Sequence, residues 1–329
     1  MDNKKKFKPN QDHKLMDQVR EVLRYYHYAY RTEQTYCKWI KRYLGFFGMH
    51  RHPNPMGAAE VERYLSHLAE QKGVAASTQR QALNAIVFMY RDVLDIDLGG
   101  IAPVRSKRHR KPPTVLTQEE VGRLLNAMQG THRLMAQLTY GCGLRLMECI
   151  RLRIQDVDFG QGRVFIRGGK GGKDRTVVLP EMVRPLLADH IERVVALHAQ
   201  DLREGYGEVH IPEALARKYP NACRETGWQY VFPSKKRSVD PRSGKTMRHH
   251  VKESGFQKAV KAAVVKANIL KRATVHTLRH SFATHLLENG TNIRVVQELM
   301  GHKDVKTTEI YTHVMNKDID AVKSPLDLL

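Results

Sequence analysis

Cysteine and long apolar runs are both scarce in this chain of 329 residues. The four cysteines form no Cys-x-x-Cys pair, and a chain of this length needs no disulfide framework, so we expect reduced thiols and no zinc site. No apolar run approaches the ~20 residues of a membrane-spanning helix. No apolar stretch follows the basic N-terminus either, and we therefore expect neither a membrane span nor a secretory signal.

Negative charge is also deficient, because 34 Asp and Glu residues face 55 Lys and Arg residues, which gives a net charge of +21. A chain this basic favours a polyanionic partner, with nucleic acid ahead of an anionic membrane. The sequence has no basic amphipathic helix with a broad apolar face, which argues against the membrane. The composition is otherwise that of a globular protein, with 41% hydrophobic and 27% charged residues.

The first hundred residues carry four amphipathic helical patterns and no strand pattern. Apolar residues recur there at spacings of three and four, which is typical of helices with one buried face. The four patterns begin at Leu15, Tyr36, Val61 and Leu83. We therefore expect a small helical bundle in this part of the chain.

A basic stretch that ends in two prolines marks the boundary after this bundle. Its residues Lys107, Arg108 and Arg110 are candidates to contact phosphates, although a solvated linker is an equally good interpretation. The predicted segments are a flexible basic tail at 1–12, a helical domain at 13–103, a linker at 104–113 and a second domain at 114–329 with an insertion at about 203–250.

The second domain begins with a helix signal, because Thr117 is an N-cap residue and Glu120 completes a capping box. Helical patterns dominate the remainder of this domain, including a long helix at about 182–202. The exception is a pair of β-prone runs, 163–167 and 175–179, joined by a glycine-rich tip. The predicted fold class is mainly α with a small β-hairpin or sheet, in two domains that form a C-shaped clamp.

Two charged motifs in the second domain are candidates for chemistry. Arg145 begins an apolar helix, where a guanidinium needs a partner or an anion, and Glu148 lies on the same face to orient it. A purely structural ion pair explains these two residues equally well. The glycine-rich tip presents Lys170 and is not a P-loop, since Asp174 follows Lys173 where Ser or Thr is required. A flexible hairpin is the alternative for this tip.

Two further motifs supply histidines, an arginine and a tyrosine. His276 and Arg279 are three residues apart and share a helix face. His276 and His280 have the i,i+4 spacing seen in some metal sites, but no nearby carboxylate or cysteine set completes a ligand shell. We therefore interpret His280, like His285, as a packed, hydrogen-bonded histidine. Gly301 is typical of a helix C-cap, with His302 at the break and Tyr311 in a new short helix. Taken alone, this tyrosine is a core or surface aromatic residue.

Together these residues fit metal-free phosphoryl transfer. A tyrosine hydroxyl is an oxygen nucleophile that needs help to lose its proton, since its free pKa is about 10. Arginines match nonbridging phosphate oxygens and stabilise the extra charge of the transition state. A lysine can protonate the departing 5′ oxygen, and histidines can donate to the phosphate or accept the tyrosine proton.

The chain resembles the tyrosine recombinases of the phage integrase family over nearly its whole length. The local contexts GCGLRLMEC, GKGGKDR, HTLRHSFATHLL and MGHKDVKTTEIYTHV carry the resemblance. The six matching positions are, in order, Arg145, Lys170, His276, Arg279, His302 and Tyr311.

The resemblance implies a site-specific recombinase of the bacterial cytoplasm that closes around duplex DNA. It implies a 3′-phosphotyrosyl intermediate at Tyr311, with no cofactor, metal or ATP. It also implies a homotetramer on DNA, in which C-terminal segments such as 315–329 dock on neighbouring subunits.

The long interval between Lys170 and His276 resembles the extra segment of integron integrases. In that group the insertion recognises bases flipped out of a folded single-stranded cassette site. Aromatic, proline and histidine side chains suit extruded bases. The candidate DNA-binding residues in this insertion are Trp228, Pro233, Arg248, His249 and His250. The alternative is an inserted packing element with Trp228 in its core.

Three other functions remain open. A generic recombinase acting on duplex sites has the same six positions. A non-enzymatic DNA-binding regulator would use 292–311 as a helix–turn–helix. This interpretation gives no reason for the six residues that match the recombinase family. A type IB topoisomerase uses closely similar chemistry and is separated by relaxation of supercoils without strand exchange.

Overall fold

The computed structural model describes residues 7–49, 51–101, 113–168 and 174–311. The chain divides into two compact units, 1–110 and 111–329. The predicted linker residues Lys107, Arg108 and Arg110 lie outside the described residues, as does Lys170 at the hairpin tip. None of the described helices is long and apolar enough to cross a membrane.

The first unit is a helical bundle, as the periodicity predicts. Its helices are α1 (Leu15–Tyr25), α2 (Tyr30–Phe46), α3 (Ala58–Glu70) and α4 (Ala76–Phe88), which runs into a π-helical turn at Met89–Val93. Buried hydroxyls in the core are paired, because Tyr43 and Tyr90 share a hydrogen bond of 3.0 Å. Phe7, in the segment predicted to be a flexible tail, stacks on Tyr25 with ring centroids 4.0 Å apart. The described end of this tail therefore lies against α1.

The second unit is also mainly helical, and it contains two small antiparallel sheets. Its helices are α5 (Gln118–Asn126), α6 (Gly130–Gly141), α7 (Leu146–Ile150), α8 (Arg184–Arg203), α9 (Glu213–Lys218), α10 (Glu253–Lys266), α11 (Val275–Glu288), α12 (Ile293–Met300) and α13 (Lys306–Glu309). The strands are β1 (Val157–Asp158), β2 (Arg163–Ile166), β3 (Arg175–Val178), β4 (Ser238–Val239) and β5 (Thr246–Met247). The predicted fold class, mainly α with a small sheet in two domains, is confirmed.

The predicted hairpin is part of a three-stranded sheet in the order β1-β2-β3. Val164 pairs with Val177, and both side chains are buried. Arg163 and Val178 pair on the opposite, exposed face, so the strands alternate as a half-buried sheet requires. The capping box predicted at the start of α5 is present, since Thr117 Oγ1 accepts the Glu120 amide at 3.1 Å and Glu120 Oε2 accepts the Thr117 amide at 2.8 Å.

Helix α11 packs against α6 in the core and carries the residues of the HTLRHSFATHLL motif. Two polar contacts fix it to the first residues of the unit. The Leu116 amide donates to Ser281 Oγ at 2.9 Å, and the Leu116 carbonyl lies 2.9 Å from His285 Nε2. His285 Nδ1 lies 2.8 Å from the Tyr140 hydroxyl, so this histidine is packed and hydrogen-bonded, as its sequence context indicates.

The turn between α6 and α7 depends on Gly143, whose φ is +62°. A Cβ at this position would overlap the Phe282 ring. We predict that Gly143→Ala costs about 1–2 kcal/mol for the left-handed backbone and a further ~1–3 kcal/mol for the overlap. Gly130→Ala is the matched control, because Gly130 has φ +56° and open space at its Cβ. Urea unfolding measures both, and equal losses in the two variants would contradict the prediction.

Candidate active site

Arg145 lies at the N-terminus of α7, in the turn that Gly143 shapes. Glu148, three residues later, binds it twice. One carboxylate oxygen accepts the Arg145 backbone amide at 2.8 Å, and the other accepts Arg145 Nη1 at 2.7 Å. The sequence spacing therefore places Glu148 where it orients the Arg145 guanidinium.

The same carboxylate also binds an arginine that the sequence analysis did not select. Arg175 at the start of β3 donates from Nη1 and Nη2 to the two oxygens of Glu148, at 2.9 and 2.6 Å. The Arg175 side chain is 8% exposed and Glu148 is 9% exposed. Burial alone would raise the pKa of Glu148, but the hydrogen bonds from Arg175 and Arg145 lower it to about 2. Glu148 is therefore a carboxylate at any working pH.

Arg279 completes a cluster of three guanidinium groups around this carboxylate. Its Nη1 lies 3.7 Å from Glu148 Oε2, and its side chain is only 3% exposed. Burial and the charge of Arg145 lower the pKa of Arg279 to about 9, which leaves it positively charged at neutral pH.

Main-chain carbonyls at the end of α12 accept from all three arginines, and Arg175 Nε donates to the carbonyl of Leu299 at 2.8 Å. Arg279 donates to the carbonyls of Gly143 and Met300. Arg145 Nη2 donates to the carbonyls of Met300 and Gly301 at 3.0 and 3.2 Å. The last carbonyls of a helix have no intrahelical partner and carry partial negative charge, so they attract cations. Gly301 ends α12 in the left-handed conformation, which is the predicted C-cap.

The chain that leaves Gly301 brings His302 to the arginines. His302 Nε2 lies 3.4 Å from Arg279 Nη2, and its Nδ1 lies 2.9 Å from Thr308 Oγ1. The short helix α13 therefore fixes the ring of His302 through Thr308. Tyr311 follows two residues after the last residue of α13, slightly beyond the helix expected for it.

Tyr311 is 2% exposed and lies between two histidines. Its ring is parallel to that of His302, with centroids 6.3 Å apart. Its hydroxyl lies 2.9 Å from Nδ1 of His280, whose ring stacks on the exposed His276 at 5.7 Å. Burial raises the pKa of Tyr311, and the nearby Arg279 and Arg145 only partly offset that rise. The phenol is therefore neutral at neutral pH.

The structure thus brings five of the six predicted catalytic residues into one region of the second unit, and Lys170 lies outside the described residues. Sequence reasoning missed Arg175 and His280. His280 is hydrogen-bonded, as expected, and its partner is the Tyr311 hydroxyl. The sequence offered two signals for it, namely its position directly after Arg279 and its i,i+4 spacing from His276.

The predicted insertion has a small core of its own, in which Val209, Ile211, Ala222 and Tyr230 are buried and Trp228 packs against them. Arg153, shortly after α7, anchors this segment. It donates to the carbonyls of Trp228 and His210 at 2.6 and 2.7 Å, and its guanidinium lies 3.7 Å from the centroid of the Tyr230 ring. Trp228 is partly exposed, so one part of its side chain packs against this core and another part faces solvent.

The other residues of the insertion selected from the sequence also make internal contacts. Arg248 directs all three guanidinium nitrogens to protein acceptors, namely Asp201 and the carbonyls of Ser234 and Lys235. His249 Nε2 lies 3.5 Å from Asp240, and His250 Nδ1 lies 2.8 Å from the Val251 carbonyl. Pro233 is partly exposed and forms a β-bridge with His250. These contacts give Arg248 a structural role in holding the insertion to α8.

The arrangement has the parts that an attack on a phosphodiester requires. Arginine side chains are suited to bind phosphate oxygens, and a phenol that contacts a histidine nitrogen lies near Arg145 and Arg279. Within the described residues, no group of three or more His, Cys, Asp or Glu residues is placed to hold a metal ion. This geometry is suited to an enzyme that uses tyrosine as its nucleophile.

Comparisons with known proteins agree with this class. Residues 114–318 match the phage integrase family, and residues 15–100 match the N-terminal SAM-like domain of phage integrases. An integrase/recombinase of Escherichia coli is 48% identical over 96% of this chain and 94% of its own length. The tyrosine recombinase XerA of Thermococcus kodakarensis is 32% identical over 86% of this chain and 84% of its own. The chain belongs to the phage integrase family and is a site-specific tyrosine recombinase.

Solved structures share its fold. A lambda integrase dimer bound to a core site has a TM-score of 0.60 at 15% identity, over 94% of this chain and 98% of that one. The XerH recombinase bound to its difH substrate has a TM-score of 0.57 at 20% identity, over 93% and 83% of the two chains. At such identities the likeness concerns the fold alone.

We predict that Glu148→Gln strongly destabilises the second unit, because it leaves buried guanidinium groups without their counter-ion. Breaking one partner of a buried ion pair costs about 3–5 kcal/mol, which corresponds to a fall in Tm of roughly 6–20 °C for a unit of this size. Glu208→Gln is the control, since Glu208 pairs with an exposed lysine, Lys245. Exposed pairs contribute less than about 1 kcal/mol. Calorimetry that found similar shifts in the two variants would refute the structural role of Glu148.

Proposed function

We propose that this recombinase is an integron-type integrase, which integrates and excises gene cassettes and recognises folded single-stranded cassette sites. It cuts and rejoins DNA through a covalent 3′-phosphotyrosyl intermediate, without metal or ATP. The observation that supports the catalytic part of this proposal is that the side chains of Arg145, Arg279 and His302 lie together near Tyr311.

Each residue has a role in this proposal. Arg145 and Arg279 bind the nonbridging oxygens and stabilise the charge that develops on the phosphate. His276 and His302 donate hydrogen bonds to the phosphate, and Tyr311 attacks the phosphorus. Lys170 protonates the departing 5′ oxygen. The phosphotyrosyl bond conserves the energy of the broken phosphodiester, so that rejoining needs no ATP.

A regulator that only binds DNA does not require arginines and a histidine to be grouped around a buried tyrosine. The segment 292–311, which a helix–turn–helix interpretation would place in a DNA groove, instead directs His302 and Tyr311 toward buried arginines. This arrangement favours an enzyme. A type IB topoisomerase needs the same groups and differs in the fate of the cut strands, but the family match favours a recombinase.

The inserted segment supports the integron-type assignment. Arg153, shortly after α7, binds the carbonyl of Trp228, and Arg248 binds Asp201 of α8. These contacts fix the inserted segment to the rest of the second unit. We propose Trp228, Pro233, His249 and His250 as its contacts to extruded bases, since all four are partly exposed. A recombinase that acts only on duplex sites is the alternative within the family.

DNA is the proposed partner, and we propose that the protein acts on it as a homotetramer. The solved relatives named above were bound to their own DNA sites. On the first unit a concave surface is lined by basic residues of α1 and α2, namely Arg20, Arg31, Lys38, Lys41 and Arg42. Such a surface suits phosphates. Lys107, Arg108 and Arg110 are further proposed contacts to phosphates.

We predict that wild-type protein forms a covalent adduct and that Tyr311→Phe forms none while binding DNA as tightly. The probe is a labelled cassette site carrying a nick that prevents rejoining, supplied with EDTA as a folded single-strand hairpin and as a paired duplex. Denaturing gels measure the adduct.

The two probes separate the assignments. An adduct on the hairpin that the tyrosine variant lacks supports the integron-type integrase. An adduct on the duplex alone leaves the recombinase and removes the integron-type assignment. DNA binding without any adduct on either probe would contradict the proposed role of Tyr311 as the nucleophile.

We predict that binding weakens steeply with salt and that the basic surface of the first unit contributes to the slope. Lys38 and Lys41 are exposed, and the double variant Lys38→Ala/Lys41→Ala should reduce the slope of log K against log salt by roughly 2. Lys72→Ala, an exposed lysine outside that surface, is the control and should change it little. A slope that is the same in the double variant and in the control would exclude this surface from the DNA interface.

A further inference from the structure

We infer that His280 is a catalytic residue that accepts the proton of the Tyr311 hydroxyl when this oxygen attacks the phosphodiester. This inference rests on the proposed function, because it takes Tyr311 as the nucleophile. His280 is not among the six positions that define the resemblance to the family. The inference rests on the position of His280 Nδ1 beside the Tyr311 hydroxyl.

The geometry of α11 is the first argument. The helix places His276, Arg279 and His280 together, with the two histidine rings stacked at 5.7 Å and 22°. Nδ1 of His280 lies 2.9 Å from the hydroxyl oxygen of Tyr311, within the reach required of a proton acceptor. The Tyr311 side chain is buried and that of His280 is half-buried, so the packing around the tyrosine holds its hydroxyl at this nitrogen.

The protonation states are the second argument. Burial, together with the nearby His276 and Arg279, lowers the pKa of His280 to about 4, so its imidazole is neutral at neutral pH. A neutral imidazole has one ring nitrogen with a free lone pair. When Nδ1 is that nitrogen, the Tyr311 hydroxyl donates to it. The phenol then enters the reaction with its proton already directed at an acceptor.

His302, the second histidine beside Tyr311, contacts other groups through its two ring nitrogens. His302 faces Thr308 with Nδ1 and Arg279 with Nε2. His302 stacks on the tyrosine ring, whereas His280 contacts the hydroxyl itself.

Atoms and electrons balance in this step. The Tyr311 oxygen forms a bond to phosphorus, and its O–H bond breaks as Nδ1 of His280 takes the proton. The bond from phosphorus to the 5′ oxygen breaks with its electron pair, and Lys170, in the proposed mechanism, protonates that oxygen. In rejoining, the 5′ hydroxyl attacks phosphorus, and the imidazolium of His280 returns the proton to the departing tyrosine oxygen.

A pair of substrates tests which side of the reaction His280 serves. Both are nicked cassette duplexes that trap the adduct. One has the ordinary 5′ oxygen at the scissile bond, and the other has a bridging 5′ sulfur, whose thiolate leaves without a proton. Single-turnover rates of adduct formation are measured for wild type, His280→Ala, His280→Asn and Lys170→Ala.

We expect His280→Ala and His280→Asn to lose roughly 10²–10⁴-fold in rate on both substrates, because proton transfer to a positioned group contributes that much. Asparagine keeps a hydrogen-bond acceptor near the hydroxyl but takes no proton at neutral pH. Lys170→Ala should be slow on the oxygen substrate and restored on the sulfur substrate. His285→Asn is the matched control, since His285 lies on the same helix but bonds Tyr140 and Leu116 instead, and it should keep the wild-type rate.

Four outcomes would overturn the inference. Sulfur that rescues the His280 variants would place His280 on the leaving-group side. A wild-type rate in His280→Asn would reduce the residue to positioning, and a wild-type rate in His280→Ala would remove it from the reaction. Equal losses of Tm in His280→Asn and His285→Asn with a rate defect in both would show a folding effect. Wild-type protein that forms no adduct with either substrate would overturn the proposed function itself.

Discussion

The carboxylate of Glu148 is the interaction on which the rest of this site depends. Three guanidinium groups lie within 4 Å of it, and at least two of them are almost fully buried. Buried cations repel one another and lose their hydration, so such a cluster is unstable without a fixed anion. Glu148 supplies this anion from the first turn of α7, while Arg175 reaches it from a strand and Arg279 from α11. One carboxylate thus joins three separate elements of the unit.

The end of α12 is the second constraint, and it connects these arginines to the nucleophile. The Met300 carbonyl accepts from both Arg145 and Arg279, so the helix must stop at that residue for its carbonyls to be available. Gly301 makes the stop possible, because it adopts φ +58° and lies against the Arg175 side chain. The chain then turns through His302 to Tyr311. A break in one helix therefore sets both the phosphate-binding side and the nucleophilic side of the site.

Much of this could be predicted from the sequence, and the exceptions have a common physical cause. Periodicity gave the helices of the first unit, and chemistry gave Arg145, Arg279, His302 and Tyr311. Arg175 was missed because a charged residue that begins a β-strand is usually solvated, whereas its partners are 27 and 124 residues away in the chain. His280 was missed because Tyr311, its partner, is 31 residues away. Local patterns do not reveal such tertiary contacts.

The charge balance of the cluster explains why it would favour reaction over mere binding. Three guanidinium groups and one carboxylate leave a surplus of two positive charges. A phosphodiester carries one negative charge, and the pentacoordinate transition state carries two. The surplus therefore matches the transition state better than the ground state, which is the condition for catalysis rather than tight binding. This match requires that the tyrosine proton leave the phosphate region during attack, and a neutral imidazole beside the hydroxyl gives it a place to go.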